Sequence, residues 1–166
     1  MSKQLILVRH AKADWSMREF NDLNRTLNAS GYQEILDITA RERVTSLRPQ
    51  LIISSHAVRA LSTAQAFLNT WQDQDPNPSH LLELKIEPAI YEASLQQLWQ
   101  VIHALPTEVD KIALIGHNPG FTYLAVDLAN LRMMELPTCG LLVLEFEASD
   151  WKSIQPKTGK LVFYEF

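Results

Sequence analysis

Three short apolar runs restrict this chain more than any other feature. Leu5-Ile6-Leu7-Val8, Leu51-Ile52-Ile53 and Ile112-Ala113-Leu114-Ile115 place aliphatic side chains at consecutive positions. A strand alternates its side chains between two faces, so such a run is apolar on both and needs cover on both. That is the pattern of central strands in an α/β sheet. Each run stops abruptly, in Arg9-His10, in Ser54-Ser55-His56 and in Gly116-His117-Asn118. In open α/β sheets the ligand crevice lies outside the carboxyl ends of the strands. These polar endings therefore stand where chemistry is usually done.

The intervening segments supply the helices. Ala11 to Thr26 has no sustained period and reads as a long loop beside the first strand's end, of the kind that is often functional. Asn28 or Ser30 can cap the next helix, Ser30 with Gln33 having the form of a capping box, and Tyr32, Ile35, Leu36 and Thr39 then form one apolar face. Ala60, Leu61, Ala64, Phe67, Leu68 and Trp71 recur at helical spacing directly after the second strand. Asp73 to His80 reads as a surface connection. Leu84 to Glu87 is a short strand stopped by Pro88, and Ser94 with Gln97 forms a capping box ahead of Leu95, Leu98, Trp99 and Ile102. Asn118 is an expected N-cap and Pro119 an expected first helical residue for the helix carrying Leu124, Ala125, Leu128 and Ala129. Leu141 to Phe146 and Leu161 to Phe166 read as a hairpin at one sheet edge. The order predicts a three-layer α/β sandwich: a mostly parallel central sheet, helices on both faces, one domain over residues 1–166. Right-handed crossovers bring the carboxyl ends of the three buried strands to one rim.

Composition excludes several classes. With 166 residues, 46% apolar and 20% charged, the chain suits one packed core. A net charge of -4 provides no global field for nucleic acid or an anionic membrane, so any anion site must be a local cluster. The single Cys139 allows no intramolecular disulfide, which fits a reducing compartment. Residues 1–8 lack the form of a signal peptide. No apolar run approaches the roughly 18 residues that span a bilayer. A cytoplasmic protein without nucleic-acid or membrane partners is expected.

The rim receives Arg9, His10, Arg59 and His117, two guanidiniums and two imidazoles. Arginine offers forked donors matched to phosphate oxygens. Helices starting near Ala57 and Pro119 add backbone N–H groups and positive dipole ends. Such a pocket suits a dianionic phosphoryl group. An imidazole inside it can attack phosphorus covalently while the cations stabilise the equatorial oxygens.

These residues resemble the histidine phosphatase, or phosphoglycerate mutase-like, superfamily. The resemblance rests on Leu7-Val8-Arg9-His10, on Ser54-Ser55-His56-Ala57-Val58-Arg59-Ala60 and on Gly116-His117-Asn118, three motifs in order and each at a strand end. Ala11 stands where the superfamily often has glycine. The small size, Arg25-Thr26-Leu27 with Gly31, Ile90-Tyr91-Glu92-Ala93 and Leu136-Pro137-Thr138 resemble its short SixA-type branch of phosphohistidine phosphatases. The resemblance implies His10 as nucleophile, Arg9, Arg59 and His117 as phosphate ligands with Asn118 beside them, and no metal or organic cofactor. It also implies a phosphate-bearing substrate, a phosphohistidine in a signalling protein being the leading case. Glu92 stands near where larger relatives carry an acidic residue and leads as general acid, with Asp14 and Asp22 as competitors. A phosphohistidine leaving group, with an imidazole pKa of about 6.5, needs less help from an acid than an alkoxide does. The loop from Lys12 to Asn24, with Trp15 and Arg18, would then touch the partner protein.

Other readings compete. A serine hydrolase could use Ser54 or Ser55 with His117, but there is no Gly-x-Ser-x-Gly elbow and both arginines go unexplained. A metal hydrolase could use His10, His56, His117 and Asp14, but adjacent arginines would repel the metal. A mutase, a general small-molecule phosphomonoesterase and a non-catalytic phosphoprotein-binding module share the same pocket. His80 and His103 read as surface or helix histidines, Cys139 as a packed thiol, and Trp15 and Tyr91 as aromatic residues that could flank the pocket.

Overall fold

The computed structural model describes residues 2–16, 21–74 and 81–166. Its order is β1 (Lys3–Arg9), α1 (Ala29–Thr39), α2 (Glu42–Thr45), β2 (Leu51–Ser54), α3 (Val58–Asp73), β3 (Glu83–Ile86), α4 (Leu95–His103), β4 (Lys111–Gly116), α5 (Gly120–Ala129), β5 (Leu141–Phe146) and β6 (Lys160–Glu165). Single 3-10 turns cover Asp22–Asn24, Pro88–Ile90 and Trp151–Ser153. The connection from Asp75 to His80, with its histidine, lies outside the described residues, as do Arg18 and Phe20 of the long loop.

One six-stranded sheet has the order β3-β2-β4-β1-β5-β6. The first four strands are parallel, and β5 and β6 complete it as an antiparallel pair on the β1 side. The expected sheet-edge hairpin is therefore present. The three apolar runs are neighbours in the middle, with Leu5 opposite Ile112 and Leu51 opposite the same Ile112.

Alternation along each strand divides the core. Leu5, Leu7, Leu51, Ile53, Ile112 and Leu114 point into one layer, with Leu98, Val101 and Ile102 of α4 and Phe121, Leu124 and Leu128 of α5. Ile6, Val8, Ile52, Ala113 and Ile115 point into the other, with Ile35 and Ile38 of α1 and Ala60, Ala64, Phe67 and Trp71 of α3. Leu5 to Val8 and Ile112 to Ile115 are completely buried. At about 25 cal/mol per Å² of apolar surface, burial of these aliphatic side chains is the main force assembling the three layers.

Several local expectations are corrected. Asn28 caps α1, its Oδ1 accepting the Gly31 N–H at 2.8 Å, so Ser30 lies inside the helix and makes no capping box with Gln33. The buried face of α1 is Gly31, Ile35 and Ile38, whereas Tyr32 and Leu36 are exposed. Gly31 decides this orientation, because a Cβ there would stand 2.2 Å from the Lys12 carbonyl oxygen. Asn118 does not cap α5. Its Nδ2 donates to the Leu136 carbonyl at 2.8 Å and its Oδ1 accepts from Thr122 Oγ1 at 2.9 Å, so Pro119 takes the cap position and the helix begins at Gly120. The Ser94–Gln97 capping box of α4 forms as expected.

Candidate active site

All four expected rim residues line one open cavity of about 360 Å³, together with Lys12, Trp15, Asp22, Arg25, Glu92 and Asn118. Parallel β1 and β4 leave His10 and His117 side by side just past their last residues, ring centroids 5.0 Å apart. Arg59 arrives from the first turn of α3, which starts four residues after β2 ends.

His10 has its two ring nitrogens in different states. Nδ1 lies 2.7 Å from the Ala11 carbonyl oxygen, which can only accept, so Nδ1 carries the proton. Nε2 is then a lone pair, and Arg59 Nε–H points at it from 3.3 Å. Burial pushes the His10 pKa down to about 4, with Arg59, Arg9 and Arg25 adding to the shift against the Ala11 hydrogen bond. The ring is neutral at physiological pH, with an unprotonated Nε2 among cations.

His117 is polarised in the opposite sense. Its Nε2 lies 2.8 Å from Ser55 Oγ, which already accepts the Ala57 N–H at 3.3 Å. Among the described residues Nε2 is the only acceptor in reach of the buried serine proton, so that proton goes to Nε2, and the His117 proton sits on Nδ1, a buried atom with no partner among the described residues. Burial lowers its pKa to about 3, with His10, Arg59 and Arg25 lowering it further and Asp22 opposing them. Ser55 is thus brought to His117, as a serine-hydrolase reading would want. It is wholly buried, however, and among the described residues nothing orients Nδ1 as a triad acid would. Ser54 bonds instead to the Ser55 carbonyl at 2.9 Å.

The guanidiniums are held from behind. Arg9 Nη1 donates to Glu135 Oε1 at 2.6 Å and to the Leu136 carbonyl at 2.8 Å, and its buried Nε has no partner among the described residues. Arg59, 4% exposed, donates through Nη1 to the Asp22 carbonyl at 2.6 Å and through Nη2 to Asp22 Oδ2 at 2.8 Å. Arg25 takes Asp22 Oδ1 at 2.8–2.9 Å and stacks 3.6 Å over Trp15. The Tyr91 hydroxyl donates to Asp22 Oδ2 at 2.7 Å. Desolvation of Asp22 acts against ionisation, but Tyr91, Arg59 and Arg25 outweigh it and bring its pKa down to about 2. Asp22 is consequently an anchor for two arginines and a poor proton donor. Asp14 accepts its own loop's Ser16 N–H at 2.7 Å. Glu92 lines the cavity in a left-handed backbone conformation, φ 49°, the kind of strain that collects at functional sites.

Sequence reasoning did not place Arg25, Ser55 or Glu135 in this constellation, and it weighed Asp22 for a role its ion pairs oppose. The pairing of Arg25 with Asp22 three residues earlier was a local signal. The contacts of Ser55 and Glu135 are long-range and left none. His56 packs edge-on against Tyr91 at 5.4 Å, and His103 bonds the Ile154 carbonyl at 3.1 Å. Among the described residues no three His, Cys, Asp or Glu side chains are grouped to hold a metal ion. Cys139 is buried, and desolvation pushes its thiol pKa up to about 12, which leaves it inert. Among the described residues no helix is long and apolar enough to cross a membrane.

Residues 5–110, more than half of the chain, match the family model of the histidine phosphatase superfamily, branch 1. The chain belongs to the histidine phosphatase superfamily. Membership implies a phosphatase-type hydrolase acting on a phosphate-bearing substrate. Among solved structures, this histidine phosphatase resembles SixA from Agrobacterium tumefaciens, a candidate phosphohistidine phosphatase, with 27% identity and a TM-score of 0.77 over 99% of this chain and 97% of that one. It also shares its fold with the protein histidine phosphatase SixA complexed with tungstate, at 18% identity and a TM-score of 0.73, covering 97% and 95% of the two chains. A chloroplastic protein of Arabidopsis thaliana is 26% identical over 163 residues, 96% of this chain and 73% of its own length. The phosphoglycerate mutase-like α/β architecture expected of a histidine phosphatase is the one observed.

Proposed function

We propose that the protein removes phosphate from phosphohistidine in a signalling protein, through a covalent phosphohistidine intermediate on its own His10. The observation that carries this reading is the state of His10: a buried, neutral imidazole whose Nδ1 proton is fixed on Ala11, so that Nε2 presents its lone pair to a cavity lined by three arginines. Nε2 attacks phosphorus, the P–N bond to the substrate imidazole breaks, that imidazole leaves neutral with a proton already on its other ring nitrogen, and the phosphoryl group rests on His10. Water then attacks phosphorus, phosphate departs, and the Nε2 lone pair is restored.

The remaining groups serve the charge. Arg9, Arg59 and the His117 Nδ1–H hold the equatorial oxygens, with Asn118 and Arg25 at the edges of the same cavity. Their donors are oriented before substrate arrives, by Glu135, Asp22 and Ser55 respectively, which is the preorganisation that lowers a transition state. Glu92 is the remaining cavity carboxylate suited to protonating a basic leaving group. A phosphohistidine substrate suits a site whose other nearby carboxylate, Asp22, is held ionised, because imidazole departs more readily than an alkoxide. The similarity to SixA of Agrobacterium tumefaciens, above 25% identity over nearly all of both chains, supports the same substrate class.

The test is rapid-quench labelling with a radiolabelled phosphohistidine protein. Acid-labile phosphate is expected on His10 and absent from a folded His10→Ala variant. Turnover by His10→Ala at the wild-type rate would overturn the reading. Much faster hydrolysis of small sugar phosphates would move the protein to a general phosphomonoesterase.

A further inference from the structure

A second cleft, about 460 Å³, adjoins the His10 cavity and is lined by Ser94 and Gln97 at the start of α4 and by Pro119, Gly120 and Tyr123 at the start of α5. The two spaces share Glu92, His117 and Asn118 as a common wall. Their electrostatics differ sharply. Arg9, Lys12, Arg25 and Arg59 line the first only. Among the described residues no lysine or arginine lines the second, whose one carboxylate is Glu92. Tyr123, which also lines the second cleft, is 58% exposed and lies outside the buried core.

We propose that this second cleft is the leaving-group subsite, and that it selects neutral or cationic leaving groups, such as an imidazole on a basic peptide, against those bearing a carboxylate or a further phosphate. The inference rests on the His10 cavity being the phosphoryl site. A dianionic phosphoryl group beside His10 leaves the rest of the substrate to extend past the shared wall. There a cation meets the Glu92 carboxylate and the Tyr123 ring face, both attractive to it. An anionic group meets the same carboxylate, with no lysine or arginine among the described residues lining this cleft to offset it. The cleft therefore adds to specificity by repulsion as well as by contact.

The experiment measures binding, so that it does not depend on turnover. Two non-hydrolysable probes, para-(aminomethyl)benzylphosphonate and para-carboxybenzylphosphonate, share a phosphonate and a ring and differ in the charge of the tail. Calorimetric titration of the protein should show the cationic probe binding about tenfold tighter at low salt, the product of a few-fold gain and a few-fold loss at a solvent-exposed carboxylate. Glu92→Gln should shrink that ratio to within about twofold, and Tyr123→Lys, which sets a cation in the same cleft at a 58% exposed position, should likewise bring it toward unity. Equal affinity of the two probes in the wild type, tighter binding of the carboxylate probe, or no binding of either overturns the proposal. Indifference of the ratio to both substitutions overturns it as well. If the ratio behaves as expected while phosphohistidine is not hydrolysed, the function proposed above fails and the subsite stands.

Discussion

Removing the Ser55 hydroxyl tests the most specific consequence of this site. Ser55→Ala deletes two buried hydrogen bonds at once, from the Ala57 N–H at 3.3 Å and to His117 Nε2 at 2.8 Å. Leaving a buried polar group unsatisfied costs about 1–3 kcal/mol, so a measurable loss of stability is expected without unfolding. The functional loss has a separate origin. Without the serine proton, His117 is free to place its own proton on Nε2, and the Nδ1 position then turns a lone pair instead of a donor toward the phosphoryl oxygens. Losing one preorganised donor of this kind lowers kcat by about 10²–10³-fold, or about 2.7–4 kcal/mol. A kcat/KM assay on a phosphohistidine substrate should show a fall of at least about a hundredfold for Ser55→Ala. Ser55→Cys, which keeps a weaker donor, should fall in between. Nitrogen chemical shifts of His117 read the tautomer independently of activity, with Nδ1–H expected in the wild type. Retention of wild-type kcat/KM in folded Ser55→Ala, or an Nε2–H tautomer in the wild type, would refute the reasoning.

Further outcomes follow from the same geometry. The folded pKa values of His10 and His117, about 4 and about 3, lie below the ordinary imidazole value of 6.5, so the unfolded chain binds more protons in between and stability is lost as pH falls from 6.5 toward 3. Melting temperatures across this range in phosphate-free buffer should fall, and His10→Asn should flatten the slope; parallel slopes would count against burial as the cause. Asp22→Asn should destabilise at neutral pH by about 1 kcal/mol, since the carboxylate is partly exposed and its ion pairs are screened. That difference should narrow as pH falls from about 4 through the folded Asp22 value of about 2, where the native carboxylate itself protonates, and kcat/KM should drop as Arg59 loses its anchor. Glu92→Gln should slow alkyl phosphate esters far more than phosphohistidine, because the alkoxide needs the proton; equal losses in kcat/KM on both would remove Glu92 as acid.

What could be read from sequence is what depends on neighbours along the chain. Consecutive aliphatic residues require cover on both faces, so Leu5 to Val8, Leu51 to Ile53 and Ile112 to Ile115 announced central strands. Their polar endings announced a rim, and parallel connectivity put Arg9, His10, Arg59 and His117 on it. The Ser94–Gln97 capping box is likewise local and forms as expected. The devices that give those residues their chemical states are not local. Asp22 meets Arg59 across 37 residues, Ser55 meets His117 across 62, and Arg9 meets Glu135 across 126. No periodicity records such pairs, since each is set by how layers stack and not by spacing along one element. The same holds for α1, where both Asn28 and Ser30 were plausible caps. The close approach of Gly31 to the Lys12 carbonyl oriented the helix and put Ile35 and Ile38 inward instead of Tyr32 and Leu36. The sequence by itself determined which residues reach the rim; burial and long-range hydrogen bonds, which exist only once the layers have packed, decided which nitrogen of each histidine carries a proton and which carboxylate stays ionised.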